Sequence, residues 1–279
     1  MESATIHDWQ RKNGRPRMPR RELILCLLVR AYFDLCFRRT VGLLKLLQPA
    51  LGLTRIPHFN TLQKHNRRGG LTATLQSLLD QTAEPFWELE ETVSVDSTGL
   101  LLHGSGAWRS NKDEETPRDF AKLHVLSGTK TRATLGIRLT RGTWHDSTQL
   151  DPLLHQIPED APASRLTADS GYWSHKNCAQ VERAGLQPII KPKSNAKWWT
   201  HPTDAFERMT RFAKQFPNRF KGLYRGRSTS ESRNATEKGL FGDRLMTRRT
   251  EALRNDTLAR EIVFNSRLHT WWFPDRLPG

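Results

Sequence analysis

From Arg20 to about Arg38 apolar side chains recur at every fourth position, Leu23, Leu27, Ala31 and Leu35, and that spacing predicts one amphipathic helix. Thr40 is placed to cap a second helix that runs through Leu47 and ends at Pro49. Asn60-Thr61-Leu62 opens a third, short helix, Gly69-Gly70 breaks the chain, and Thr72 to Ala83 makes a fourth that Pro85 stops. After Glu90 the pattern changes to short alternating runs, which predict strands at Thr92–Asp96, Lys122–Ser127 and Thr134–Thr140. Gly128-Thr129-Lys130-Thr131 joins the last two as a hairpin. A polar loop over residues 103–120 carries Asp113-Glu114-Glu115, three acids best read as solvated. Asp146, with Gln149 three later and Leu150, Leu153 and Leu154 beyond, reads as a helix capping box. A fourth strand ends at Asp169, a helix spans Lys176 to Ala184 with Gly185 as its cap, and Gln187–Lys191 is a fifth strand. Residues 195–222 then form a connector with one helix, ahead of a last polar helix.

Three antiparallel strands, a helix, a strand, a helix, a strand and a helix follow one another as in a ribonuclease-H-like α/β fold, a mixed sheet with flanking helices. A small all-helical domain precedes it, so the expected division is 1–90 and 91–279. Lys and Arg number 44 against 29 Asp and Glu, a net charge of +15 over 279 residues. That bias points to a polyanion, most simply nucleic acid, without choosing among enzymes that act on one. The cations cluster early: residues 9–21 form a basic arm broken by Gly14, Pro16 and Pro19, in which Arg15 and Arg17 can enter an A·T-rich minor groove; the arm equally reads as a solvated leader. Cys26, Cys36 and Cys178 form neither a zinc-binding spacing nor an even set for disulfides. The longest apolar run, Leu23 to Val29, is far below the roughly 20 residues that cross a bilayer. It follows a basic segment, yet Arg30 and Asp34 come soon after and no small-residue cleavage site does. The expectation is a soluble cytoplasmic protein with no membrane partner.

The chemistry concentrates in residues 223–238. On one helix Tyr224, Glu231 and Lys238, spaced by seven, and Arg227, four before Glu231, would share a stripe. Such a face can offer a carboxylate to a metal beside cations for phosphates; it is also what a solvated helix with one Arg–Glu pair looks like. Two further stretches, Val93-Ser94-Val95-Asp96-Ser97-Thr98 and Arg165-Leu166-Thr167-Ala168-Asp169-Ser170-Gly171-Tyr172, each read as a strand ending in aspartate, a residue that strands disfavour. In the fold expected above, Asp96 and Asp169 lie side by side and the last helix lays Glu231 across them. Three such carboxylates would repel one another unless a cation neutralised them, and hard oxygen donors favour Mg²⁺, with Mn²⁺ as a substitute.

These residues resemble the DDE transposases of bacterial and archaeal insertion sequences. Tyr, two residues, Arg, three residues, Glu, six residues and Lys is met by Tyr224, Arg227, Glu231 and Lys238, and the family's Asp-Ser-Thr and Asp-x-Gly-Tyr strands by Asp96-Ser97-Thr98 and Asp169-Ser170-Gly171-Tyr172. The Trp-His-Asp-Ser run at 144–147 also recurs in the family. The resemblance implies that Asp96, Asp169 and Glu231 bind two Mg²⁺ ions and act as the catalytic residues. The ions would serve a water that cuts at the element's ends, then a 3′-hydroxyl that attacks target DNA. It further implies contacts of Arg227, Lys238 and Tyr224 to double-stranded DNA at the terminal inverted repeats, and at least a dimer on DNA. Lys191 and Lys193 either extend that basic channel or are solvated. Trp173, Trp198 and Trp199 read as packing residues before base-stacking ones. No phosphate-binding loop, Gly-x-Ser-x-Gly elbow or histidine spacing suggests another enzyme class. A nuclease on the same fold and a remnant that only binds the ends are the remaining alternatives.

Overall fold

The computed structural model describes residue 6 and residues 17–102, 120–197 and 199–276. Arg15, Trp198 and the acids 113–115 lie outside the described residues. The chain divides into two compact units: Met1–Thr82, Leu101–Arg118 and Lys238–Arg267 form one, and Ala83–Leu100, Asp119–Glu237 and Leu268–Gly279 the other. No helix among the described residues is long and apolar enough to cross a membrane.

The first unit holds α1 (Arg20–Tyr32), α2 (Phe37–Leu47), α3 (Phe59–Asn66), the start of α4 (Gly69–Trp87) and most of a long helix near the C-terminus, Thr250–Trp272. The single helix expected from Arg20 to Arg38 is two. Asp34 takes a left-handed conformation at φ +44, and the N–H of Leu35 reaches back to the carbonyl of Arg30, so the chain turns before Leu35 can join the stripe. Thr40 does not cap α2 either. It lies inside the helix, fully buried, and its hydroxyl donates to the carbonyl of Cys36 at 3.0 Å. Gly69-Gly70 opens α4 instead of breaking the chain, and Pro85 fails to stop it, because Phe86 and Trp87 continue into the core of the other unit.

The long helix runs through the first unit with buried polar residues. Asp256 accepts from Arg30 at 2.7 Å, Asn66 at 2.8 Å and Thr247 at 2.9 Å. Next to it, the Asn255 carbonyl oxygen accepts from Thr72 and its amide donates to the carbonyl of Asn66, each at 2.8 Å.

The second unit is built on the sheet. Its strands are β1 (Thr92–Leu102), β2 (Phe120–Gly128), β3 (Thr134–Arg141), β4 (Arg165–Ala168) and β5 (Gln187–Ile190), in the order β3-β2-β1-β4-β5. β2 and β3 pair antiparallel, while β4 runs parallel to both β1 and β5. That is the mixed sheet of the ribonuclease-H-like fold. β1 continues six residues past Asp96, and its last two, Leu101 and Leu102, lie in the first unit and pair parallel with β6 (Arg244–Leu245). Val93 and Val95 on β1, Leu166 and Ala168 on β4, and Ile189 and Ile190 on β5 build the core. The helices of this unit are α5 (Leu150–Leu154), α6 (His175–Arg183), α7 (Ala205–Gln215), α8 (Pro217–Tyr224) and most of α9 (Arg227–Phe241); Thr250–Trp272 is α10. The connector 195–222 therefore carries two helices, because Pro217 starts a new one directly after α7.

Asp146 is likewise not the cap that its spacing predicts. It heads a short 3₁₀ turn, Asp146–Gln149, with no side-chain cap bond, and pairs with Lys122 at 2.9 Å, while Gln149 accepts from Arg138 at 2.7 Å. Capping needs an acceptor aimed at the helix N–H groups, and here both partners are held by cations on the sheet.

Removing the Asp256 carboxylate leaves Arg30 buried without its counter-charge. Asp256→Ala should lower unfolding free energy by about 3–5 kcal/mol, read from urea denaturation, whereas exposed Glu251→Ala should change it by well under 1 kcal/mol.

Candidate active site

The pairing register decides where the two aspartates fall. β1 and β4 pair as Thr92 with Arg165 through Val95 with Ala168. One residue beyond the last of these pairs stand Asp96, still on β1, and Asp169, just past the end of β4. Since Val93 and Val95 point into the core, Asp96 projects to the opposite face.

At Asp169 the strand has ended. The residue caps a 3₁₀ turn, Ser170–Tyr172, by accepting the N–H of Gly171 on Oδ1 at 2.8 Å. A Cβ at position 171 would sit 3.0 Å from that oxygen, which accounts for the glycine. With Oδ1 committed, Oδ2 is the oxygen turned toward the rest of the site. Tyr172 anchors the turn in the core, where burial, then the charges of Asp146, Asp169 and Asp96, push its hydroxyl well above the ordinary value.

The stripe expected on one helix is divided between two. Tyr224 closes α8, Arg225-Gly226 turns the chain where Thr129 packs against Gly226, and α9 begins at Arg227. Tyr224 is half-buried and stacks on Phe220, with ring centres 5.7 Å apart. Arg227, Glu231 and Lys238 do share α9, Lys238 in its last turn. Arg17 is exposed ahead of α1, and Lys191 and Lys193 are exposed after β5. Trp173 and Trp199 pack on Phe206, and Trp173 donates to Thr210, in keeping with a packing role.

What draws the three acids together is Arg227. Its guanidinium lies 3.4 Å from Asp96 Oδ1 and 3.9 Å from Asp169 Oδ2, and it is hydrogen-bonded to Glu231 one turn along. Burial pushes the Asp96 carboxyl up from the usual range; Arg227 and the Ser97 N–H pull it back, and the charges of Asp169 and Glu231 push it up again. Burial works against the charge of Arg227, but Asp96, Tyr224 and Glu231 outweigh it and raise its pKa.

Among the described residues no group of three or more His, Cys, Asp or Glu side chains stands in a metal-holding arrangement. The acids are spaced around a guanidinium, a far larger cation than Mg²⁺. Their donor chemistry nevertheless suits a divalent ion: three carboxylates from separate parts of the chain already gather on one positive charge, and hard oxygen donors of this kind favour a hard cation. Glu231 and Asp169 keep side-chain exposures of 58% and 38%, so both have room to change rotamer.

The residues that the sequence reading missed lie on the buried side of α9. Ser230, Arg233, Asn234 and Glu237 follow the i, i+3, i+4, i+7 spacing of a core-facing stripe, and all four are buried although none is apolar. Asn234 donates to Asp96 Oδ2 at 3.1 Å. Its position seven residues after Arg227 was the one available signal.

A family model described as Transposase DDE domain matches residues 87–265. Three solved structures also show likeness. The "pre-cleavage Mos1 transpososome" is 10% identical, with 81% of this chain and 80% of that chain covered at a TM-score of 0.26. The "Mos1 transposase paired-end complex with left transposon end" is 11% identical, covering 80% and 82% at 0.25. The "Mos1 mariner paired end complex with Mn" is 10% identical, covering 84% and 82% at 0.24. At TM-scores this low, none of the three likenesses bears on the reading of the site.

On β2, His124 is fully buried beside Thr140 and Asp146, and burial pushes its pKa from 6.5 down to about 4. An unfolded histidine takes its proton near 6.5, so between these values the unfolded state binds more protons and stability falls as pH drops from about 6.5 to about 4. His124→Gln should flatten part of that slope in urea midpoints measured across the range. His65, also lowered to about 4, contributes to the slope in the same sense.

Proposed function

We propose, from the premise that the chain belongs to the transposase DDE domain family, that it cuts DNA at the ends of an insertion sequence and joins the freed 3′-hydroxyl to target DNA. The observation that carries this reading is the meeting of Asp96, Asp169 and Glu231 on one cation. These three are the proposed catalytic residues, and they would hold divalent metal, two Mg²⁺ ions with Mn²⁺ able to substitute. When bound, the metal supplies charge neutralisation at the scissile phosphate and lowers the pKa of a coordinated hydroxyl or water. One phosphodiester replaces another, so no energy cofactor is required.

The chain's own residues set up that chemistry. Asp96 and Asp169 are fixed by strand register and by the Gly171 N–H, whereas Glu231 is carried by α9. Arg227 keeps the acids together in the absence of a divalent ion. With the acids holding a metal, the Arg227 guanidinium would be free to meet a phosphate of the transposon end, where its planar fork suits two phosphate oxygens. Lys238, Arg15 and Arg17 are proposed to contact the DNA backbone, and Tyr224 the flanking bases. Residues 1–90 would bind the terminal inverted repeats and residues 91–279 carry out the reaction, as a dimer on double-stranded DNA in the cytoplasm.

Asp96→Asn, Asp169→Asn or Glu231→Gln should each abolish Mg²⁺-dependent cleavage of end DNA and leave specific binding largely intact in gel-shift assays; full cleavage by any one refutes the assignment. Arg227→Ala should weaken end binding and reduce the salt slope of the binding constant by about one phosphate contact. An unchanged slope would confine Arg227 to its acids.

A further inference from the structure

Asp96 Oδ1 faces Arg227, and Oδ2 accepts a hydrogen bond from the side-chain amide of Asn234 at 3.1 Å. An amide can present either end to a neighbour, but here only one orientation works. Arg233 has donors only, and its Nη1 lies 3.0 Å from Asn234 Oδ1, so the carbonyl end must face Arg233 and the NH₂ end must face the carboxylate. Arg233 is in turn fixed on β3, where its Nη2 donates to the hydroxyl of Thr134 at 2.8 Å. Thr134, Arg233, Asn234 and Asp96 thus form one connected chain, in which Arg233 donates both to Thr134 and to Asn234, and Asn234 donates on to Asp96; its first three members are buried.

Packing alone does not explain this chain. A guanidinium with no solvent exposure carries a large desolvation cost, and apolar side chains of similar volume would close α9 onto the sheet as well or better. What this chain adds is a hold on one carboxylate of the site, through the Asn234 amide. Asn234 also differs from Arg227 in kind. The amide is neutral, so it fixes the plane of the Asp96 carboxylate without cancelling its charge, and it has no reason to leave when a cation arrives.

We infer that Asn234 is a positioning residue for the metal-binding Asp96, itself oriented by Arg233 and Thr134, so that Oδ1 is aimed at the ion site before any ion binds. This rests on the metal-ligand role proposed above for Asp96. Groups that orient ligands in this way are typically worth about 10–100-fold in metal affinity.

The test is Mn²⁺ binding to the full chain, followed by the electron paramagnetic resonance signal of the free ion, for the wild type, Asp96→Asn, Asn234→Leu and Thr134→Val, with folding checked by thermal melts. Asp96→Asn should lose binding. Asn234→Leu should weaken it about tenfold or more, and Thr134→Val, which takes the accepting hydroxyl away from Arg233, should weaken it less but in the same direction. A merely structural role would lower the melting temperature and leave the Mn²⁺ affinity of the folded fraction unchanged. If Asn234→Leu does not fold, Thr134→Val decides. Wild-type affinity in the folded variants, with binding still lost in Asp96→Asn, overturns the positioning role alone. Wild-type affinity in Asp96→Asn overturns the metal site on which it rests.

Discussion

Carboxylates held within a few ångströms of each other resist ionisation together. Two unit charges 4 Å apart interact by about 4 kcal/mol at an effective dielectric constant near 20, and this site holds three such groups, one of them buried. The remainder of the arrangement follows from supplying a counter-charge. The parallel register of β1 and β4 places Asp96 beside Asp169, the 3₁₀ turn after Asp169 releases one of its oxygens, and α9 brings both Glu231 and the guanidinium that satisfies all three. An arginine four residues before the glutamate is a simple way to deliver an acid and its counter-ion from one helix. It keeps the acids gathered while leaving two of them solvent-accessible.

The underside of α9 obeys a different requirement. Helices that cover sheets normally bury an apolar stripe, yet this one buries Ser230, Arg233, Asn234 and Glu237. Burying polar groups is unfavourable unless their hydrogen bonds are completed, so the stripe makes sense where orientation matters more than packing free energy. The same preference for polar burial recurs around Asp256 and Asn255 on α10, where it joins helices and has no acidic cluster to serve.

The fold class and the two aspartates were legible because they are written in short-range signals: alternating apolar positions for the strands, and aspartate where strands seldom place it. The equal spacing of Asp96 to Asp169 and Thr92 to Arg165 then follows from parallel pairing. Signals failed where tertiary contacts overrode local chemistry. Asp34 divides the first helix in a left-handed conformation that aspartate tolerates, and its carboxylate is held by Arg260 from far along the chain. Pro85 and Gly69 look like breaks but lie inside α4, whose end is anchored by core burial of Phe86 and Trp87. Tyr224 fits a helical stripe by counting, yet Gly226 allows a turn that puts it on α8. Asn234 was invisible for a more general reason: hydrophobic periodicity cannot report a helix face that is buried and polar.

The claim that Arg227 occupies the place of a divalent ion is most directly tested by anomalous diffraction from crystals of the protein with end DNA and Mn²⁺. Manganese peaks among the carboxylates of Asp96, Asp169 and Glu231, with the Arg227 guanidinium withdrawn onto a DNA phosphate, are the predicted result. Peaks elsewhere, with Arg227 still bridging the three acids, would contradict it.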